Sequence, residues 1–277
     1  MPGTLYLVPT PIGNLGDISR RMADTMAEVD FLAAEDTRVT LKLLNHLGFK
    51  KPMVSYYRHN SGESGGAVLS RILAGENCAL VTDAGTPAIS DPGEDLVRQC
   101  AQHGVTVISI PGPCALVTAL AASGLPTARF TFEGFLPMNK KNRRAQLAAL
   151  KSETRTMIFY EAPHKLNTTL EDLRATFGGE RRVSLCRELT KLHEEIRRTT
   201  LEEAISWYAE NQPKGEFVLV LEGGCPPDED KPTLEDGLER LYTLRAGGMS
   251  LKDAARLAST ELGLSRNLLY DMALEER

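Results

Sequence analysis

The sequence predicts an α/β protein, with two α/β domains followed by a C-terminal helical extension. Three observations carry this. Short, nearly continuous apolar runs alternate with amphipathic stretches through the first half. The rhythm changes after Gly124-Leu125-Pro126, where a second set of strand-like runs begins. A Gly-, Pro- and Asp-rich stretch from Gly223 to Pro232 then has linker composition and precedes a tail that reads as helix throughout. The expected boundaries are 1–124, 125–224 and 233–277.

In the first domain, Leu5 to Val8, Phe31 to Ala34, Met53 to Tyr57, Cys78 to Thr82 and Val105 to Ile110 read as strands. Helical patterns lie between them at Ser19 to Val29, Thr40 to Leu47, Gly65 to Leu73 and Gly93 to His103. Continuous apolar strands alternating with helices predict a parallel sheet covered on both faces. In the second domain the strands are Phe130 to Glu133, Thr156 to Glu161, Arg182 to Cys186 and Phe217 to Leu221, with helices at Asn142 to Leu150, His164 to Phe177 and Leu201 to Tyr208. In the tail, Ser250 and Ser265 read as caps of two helices joined through Gly263, a pair that resembles a helix-turn-helix.

The chain has 277 residues and a formal charge of −5, from 32 Lys+Arg against 37 Asp+Glu. That excludes a uniformly basic nucleic-acid coat but leaves room for a local basic patch. Five scattered cysteines, none in a C-x-x-C pair, predict neither a disulfide framework nor a zinc site, and suit a reduced, cytoplasmic protein. No histidine stands three to five residues from another, so no metal is expected. The N-terminus runs into a strand with no apolar leader, and no apolar run is long enough to span a bilayer.

The unusual sequences follow strands. Strand one ends in Val8-Pro9-Thr10-Pro11-Ile12-Gly13-Asn14, which is neither a dinucleotide fingerprint nor a Walker loop. Proline removes backbone donors, so a rigid wall fits better here than a phosphate cradle. Strand four ends in Asp83-Ala84-Gly85-Thr86-Pro87-Ala88-Ile89-Ser90-Asp91-Pro92-Gly93. Asp91 is expected to cap the next helix, but Gly85 to Ile89 is too long for a minimal turn. Strand five ends in Pro111-Gly112-Pro113-Cys114-Ala115, ahead of a small-residue helix. Three such loops at one sheet edge point to a binding crevice.

These loops, together with Ala34-Glu35-Asp36-Thr37-Arg38, Glu133-Gly134-Phe135-Leu136-Pro137, Phe159-Tyr160-Glu161-Ala162-Pro163-His164 and Arg187-Glu188-Leu189-Thr190-Lys191, resemble the tetrapyrrole methylase-type (class III) S-adenosylmethionine-dependent methyltransferases. Within them they are similar to the bacterial ribosomal RNA small subunit methyltransferase I family, whose activity is 2′-O-methylation of a cytidine in 16S rRNA. The likeness spans nearly the whole chain. It departs from the family pattern at Tyr56-Tyr57-Arg58-His59-Asn60, where the family carries a further histidine or acidic residue before the His-Asn.

The resemblance implies S-adenosylmethionine bound in the cleft between the two α/β domains, a homodimer, and small-subunit rRNA or the assembled 30S subunit as partner. It implies a cofactor lining of Pro9, Ile12, Asp83, Gly85, Thr86, Ile89, Cys114, Ala115, Phe159 or Tyr160, Leu189 and Glu216. A ribose hydroxyl must be aligned and lose its proton, so carboxylates and imidazoles at the strand ends are the catalytic candidates: Glu35 or Asp36, His59 and Glu161. Arg38 and Asn60 are expected at the RNA, as is the run Lys140, Lys141, Arg143 and Arg144, whose cations oppose the dipole of the helix they begin. Lys252, Arg256 and Arg266 of the tail are further candidates. Two other readings remain open. One is a methylase acting on a tetrapyrrole carbon, which would not need the cationic run; the other is a ligand-sensing helix-turn-helix regulator.

Overall fold

The computed structural model describes residues 1–57, 61–224 and 232–275, the side chains of 61–64 and 275 excepted. Residues 1–224 form one compact unit and the residues from Cys225 onward another.

The first unit holds two five-stranded sheets. The first is built from β1 (Thr4–Leu7), β2 (Phe31–Ala34), β3 (Met53–Ser55), β4 (Cys78–Val81) and β5 (Thr106–Ser109), in the order β3-β2-β4-β1-β5, and every pairing is parallel. Its central strands β2 and β4 are buried at every residue because both of their sides are covered. Leu32, Ala34, Ala79 and Val81 pack with Met22 and Met26 of α1 (Arg20–Glu28) and Leu44 of α2 (Thr37–Leu47). Phe31, Ala33, Cys78 and Leu80 pack on the other side with Val68 and Ile72 of α3 (Ser61–Leu73) and Leu96 of α4 (Glu94–Gln102). Chain leaving β1 and β2 therefore turns to one face, and chain leaving β4 turns to the other. β4 lies between β2 and β1, so adjacent loops diverge there and leave a crevice at the carboxyl ends.

The helix α5 (Ala115–Ser123) leads into the second sheet. Its strands are β6 (Phe130–Phe135), β7 (Thr156–Glu161), β8 (Arg182–Arg187), β9 (Glu195–Thr200) and β10 (Phe217–Leu221), in the order β6-β7-β10-β8-β9. Only β6–β7 is parallel. One face packs on α7 (Leu166–Phe177) and α8 (Leu201–Glu210); the other packs on Leu116, Ala119 and Leu120 of α5. Strand β9 was not expected. Its sequence, Glu-Ile-Arg-Arg-Thr-Thr, has one apolar residue and occupies a half-exposed edge.

The second unit contains α9 (Leu234–Ala246), α10 (Leu251–Leu262) and α11 (Arg266–Glu275) around Leu241, Ala254, Ala255, Ala258 and Leu269. Ser250 accepts the Asp253 N–H as the α10 cap. Among the described residues, no helix is long and apolar enough to cross a membrane.

Candidate functional site

A cavity of about 470 Å³ opens where the carboxyl ends of the first sheet meet the second. It is walled by three stitched loops. Thr10 and Gly85 exchange backbone hydrogen bonds of 2.9 and 3.0 Å, which ties the loop after β1 to the loop after β4. The Thr10 hydroxyl donates to the Thr82 carbonyl at 2.9 Å, and the Thr86 hydroxyl donates to the Pro113 carbonyl at 2.8 Å, adding the loop after β5. Within the β4 loop, Ala88 and Ser90 take positive φ values of 69° and 64°, conformations that only a well-determined surround sustains.

Twelve of the sequence-predicted site residues line this cavity: Ile12, Glu35, Asp83, Gly85, Thr86, Ile89, Cys114, Ala115, Tyr160, Glu161, Leu189 and Glu216. Pro9 does not. It is buried behind the wall, where a Cβ added at Gly112 would lie 2.9 Å from it. His59 and Asn60 lie outside the described residues.

The acidic residues divide by environment. Asp36 is the α2 cap: its carboxylate accepts the Arg38 N–H at 2.8 Å and the Arg38 guanidinium at 2.6–3.2 Å. That guanidinium holds its pKa down to about 2. Asp36 is absent from the cavity lining, and Arg38 is clamped to it rather than open on all sides. Asp83 accepts the Asp36 N–H at 3.1 Å, and burial pushes its carboxyl above the ordinary range. Glu35 accepts the Asp83 N–H at 3.3 Å and faces the cavity. Asp91 also lines it and does not cap α4; that position is Gly93, which has no side chain to offer.

On the opposite wall, Glu161 is 4% exposed, and its oxygens accept the Ala162 N–H at 2.9 Å and the Thr169 hydroxyl. These two bonds pin the turn that Pro163 begins. Tyr160 stands between edge-on rings of Phe132 and Phe135, at 4.9 and 5.6 Å, and its hydroxyl accepts the Leu116 N–H of α5 at 3.0 Å. Burial raises its pKa.

Lys191, whose role sequence reasoning left unassigned, lines the cavity and donates to Glu188 and Glu216 at 2.8 Å each. Burial lowers its pKa, but the two glutamates outweigh that and hold the ammonium charged. Phe135 was missed in the same way, although the motif containing it was visible.

The cationic run after β6 divides too. Lys140, Lys141 and Arg144 are exposed on α6 (Lys140–Ala149). Arg143 instead bonds Asp172 at 2.5 Å and the Thr169 hydroxyl at 2.8 Å, with 12% of its side chain exposed, so it is a packing cation and not an open phosphate ligand. No group of three or more metal-ligating side chains occurs among the described residues.

The cavity thus presents apolar side chains ringed by carboxylates, a lining suited to a cationic, partly apolar ligand. Residues 4–205 match the family model of Tetrapyrrole (Corrin/Porphyrin) Methylases, and residues 232–277 match the RsmI C-terminal HTH domain. Over 273 residues, 99% of this chain and 98% of the relative, the sequence is 48% identical to a ribosomal RNA small subunit methyltransferase I of Synechocystis sp.. It is 47% identical to the protein of that name from Pseudomonas aeruginosa, over 99% of this chain and 98% of the relative. The crystal structure of the methyltransferase CobJ superposes with a TM-score of 0.60 at 16% identity, covering 80% of this chain and 95% of that one, and so shows the shared fold. The chain belongs to the tetrapyrrole methylase family and, within it, to the ribosomal RNA small subunit methyltransferase I family.

Proposed function

We propose that this protein transfers the methyl group of S-adenosylmethionine to the 2′-hydroxyl of a cytidine in small-subunit rRNA, acting in the cytoplasm as a homodimer on the rRNA or the 30S subunit. The observation that carries the reading is the acidic, apolar-floored cavity at the junction of the two sheets, in a chain that matches its named relatives end to end. The volume is in the range of small-cofactor sites. The donor set fits the cofactor: Asp83, Asp91 and Glu216 suit a positively charged ligand, and Ile12, Ala115, Leu189 and Val218 offer apolar contact to a flat ring.

S-adenosylmethionine supplies an already activated methyl on a cationic sulfur, so the protein's part is alignment and electrostatics. The stitched loops after β1, β4 and β5 hold one wall rigid, and Tyr160 braces α5 against the second sheet. In this reading Glu35 accepts the hydroxyl proton, a role supported by its position in the cavity lining directly after β2. Lys140, Lys141 and Arg144 supply the local positive charge that the acidic total conceals.

The test is mass mapping of ribose methylation in rRNA from cells with and without this protein, alongside purified protein offered 30S subunits, naked rRNA or a porphyrinogen with labelled cofactor. Loss of one cytidine 2′-O-methyl mark in the deletion, and label transfer to the subunit or its RNA, is expected. Label appearing only in the tetrapyrrole would overturn the reading.

A further inference from the structure

Strand β6 carries a feature that the cofactor cleft does not explain. It pairs with β7 in parallel, and the register jumps between Phe132 and Gly134: Phe132 lies opposite Ile158, Gly134 opposite Phe159 and Phe135 opposite Tyr160. Glu133 is the extra residue of a β-bulge, and Gly134 takes the left-handed φ of 63°. In a regular strand Phe132 and Phe135, three apart, would face opposite sides. The bulge brings both rings to the same side, edge-on to Tyr160 with interplanar angles of 67°.

The re-aimed ring is not used for the core. Phe132 is half-buried and already packs beside Tyr160 and Ile158, whereas Phe135 lines the cavity and is 56% exposed. Five residues on, Lys140 and Lys141 begin α6, where positive charge opposes the helix dipole and Asn139 already caps the Lys141 and Asn142 N–H groups. With Arg144 they form a set that no carboxylate of the described residues pairs, in contrast to Arg143 on Asp172. A ring that is 56% exposed at the cavity wall, followed by cations without a carboxylate partner among the described residues, matches how single-stranded RNA is held: bases stack on rings and phosphates meet cations. A nucleotide presenting its ribose hydroxyl inside a cavity must leave its neighbours, and a ring at the mouth restores the lost stacking.

We propose that Phe135 is the stacking platform for an unstacked base of the RNA substrate, with Lys140, Lys141 and Arg144 on the adjoining phosphates. The proposal rests on the RNA methyltransferase reading and names how that site holds its substrate.

The experiment uses the full chain and a short single-stranded RNA containing the fluorescent base pyrrolocytosine. Wild-type protein and Phe135→Trp are expected to quench the base on binding. Phe135→Leu and Phe135→Ala are expected to lose the quench and weaken RNA binding by about 5- to 150-fold, the scale of one base–aromatic stack. The thermal unfolding midpoint should stay within a few degrees of wild type in all three variants, which reports an intact fold, and because Phe135 lines the cavity the loss of RNA affinity in the Leu and Ala variants is expected to exceed any change in their calorimetric affinity for S-adenosylhomocysteine. Lys140→Gln with Lys141→Gln should keep the quench at saturation and flatten the salt dependence by about 0.7 per lost contact. Absence of quench in the wild type, or a Leu variant as good as Phe, would overturn the proposal. So would a Phe135→Ala variant that changes only the sedimentation mass, since the ring would then serve a contact between copies of the chain. Turnover on 30S subunits is measured in parallel. Stacking without turnover would sink the activity and leave the platform standing, and turnover indifferent to Phe135 would do the reverse.

Discussion

Two adjacent carboxylates at the end of β2 show how much a side chain's partners decide. Asp36 is committed to the α2 cap and to the Arg38 guanidinium, and its pKa near 2 makes it a poor proton acceptor. Glu35 lies one residue earlier on the cavity side, beside an Asp83 whose pKa burial raises. The pair cannot be separated from sequence, since both are acidic and both follow a buried strand; the cap hydrogen bonds separate them. Glu35→Gln is therefore expected to lower single-turnover methyl transfer by about 10²- to 10⁴-fold, the usual contribution of a general base, with cofactor affinity retained. Asp36→Asn keeps the capping oxygen and is expected to retain most of the rate. The reverse order, with Asp36→Asn the dead variant, would return the base to Asp36.

At the scale of elements, legibility follows burial. The strands β2 and β4 stand out in sequence because both their faces are covered and their residues are all apolar. Strand β9 is hidden because its arginines do the packing: Arg197 lies 3.9 Å over the Trp207 ring, and Arg198 donates to the Ser123 and Ala122 carbonyls. No periodicity rule marks such residues as sheet. The β6 bulge is equally silent, since one extra residue leaves only a glycine as its trace, and the run from Lys140 to Arg144 reads as four equal cations until Asp172 claims one. The loop after β4 is the opposite case, for its Gly, Pro and Asp content has little other use. Its closing residue, Gly93, has φ of 143°, and an added Cβ would lie 2.8 Å from Leu80 Cδ2 and 3.1 Å from the Ala88 nitrogen. Gly93→Ala must strain the backbone and displace the loop. A loss of about 1–3 kcal/mol in urea unfolding with an unchanged m-value is expected, together with weaker cofactor binding because Thr86 and Ile89 belong to the same loop. Wild-type affinity in a destabilised variant would show that the cavity does not depend on this loop's fixed shape.

For the whole molecule, the separation of tasks follows from where each part finds its own core. Residues 1–224 contain both sheets, both faces of each covered, and the entire cavity lining. The helices of the tail close around Leu241, Ala255 and Leu269, and Thr233 and Asp236 form a capping box at the start of α9. Its cations are partly committed, Arg240 to Glu261 and Arg256 to Asp253, while Lys252 and Arg266 stand exposed. With a net charge of −5 the chain as a whole does not attract RNA, so affinity must come from such local groups. A chain ending at Gly224 should therefore unfold cooperatively and bind S-adenosylhomocysteine as tightly as the full chain in calorimetry. Its RNA affinity should fall, and the slope of log affinity against log salt should become shallower by about 0.7 for each phosphate contact the tail had made to single-stranded RNA. An unchanged slope would mean that the tail touches no phosphate, and that Lys140, Lys141 and Arg144 carry the electrostatic attraction without it.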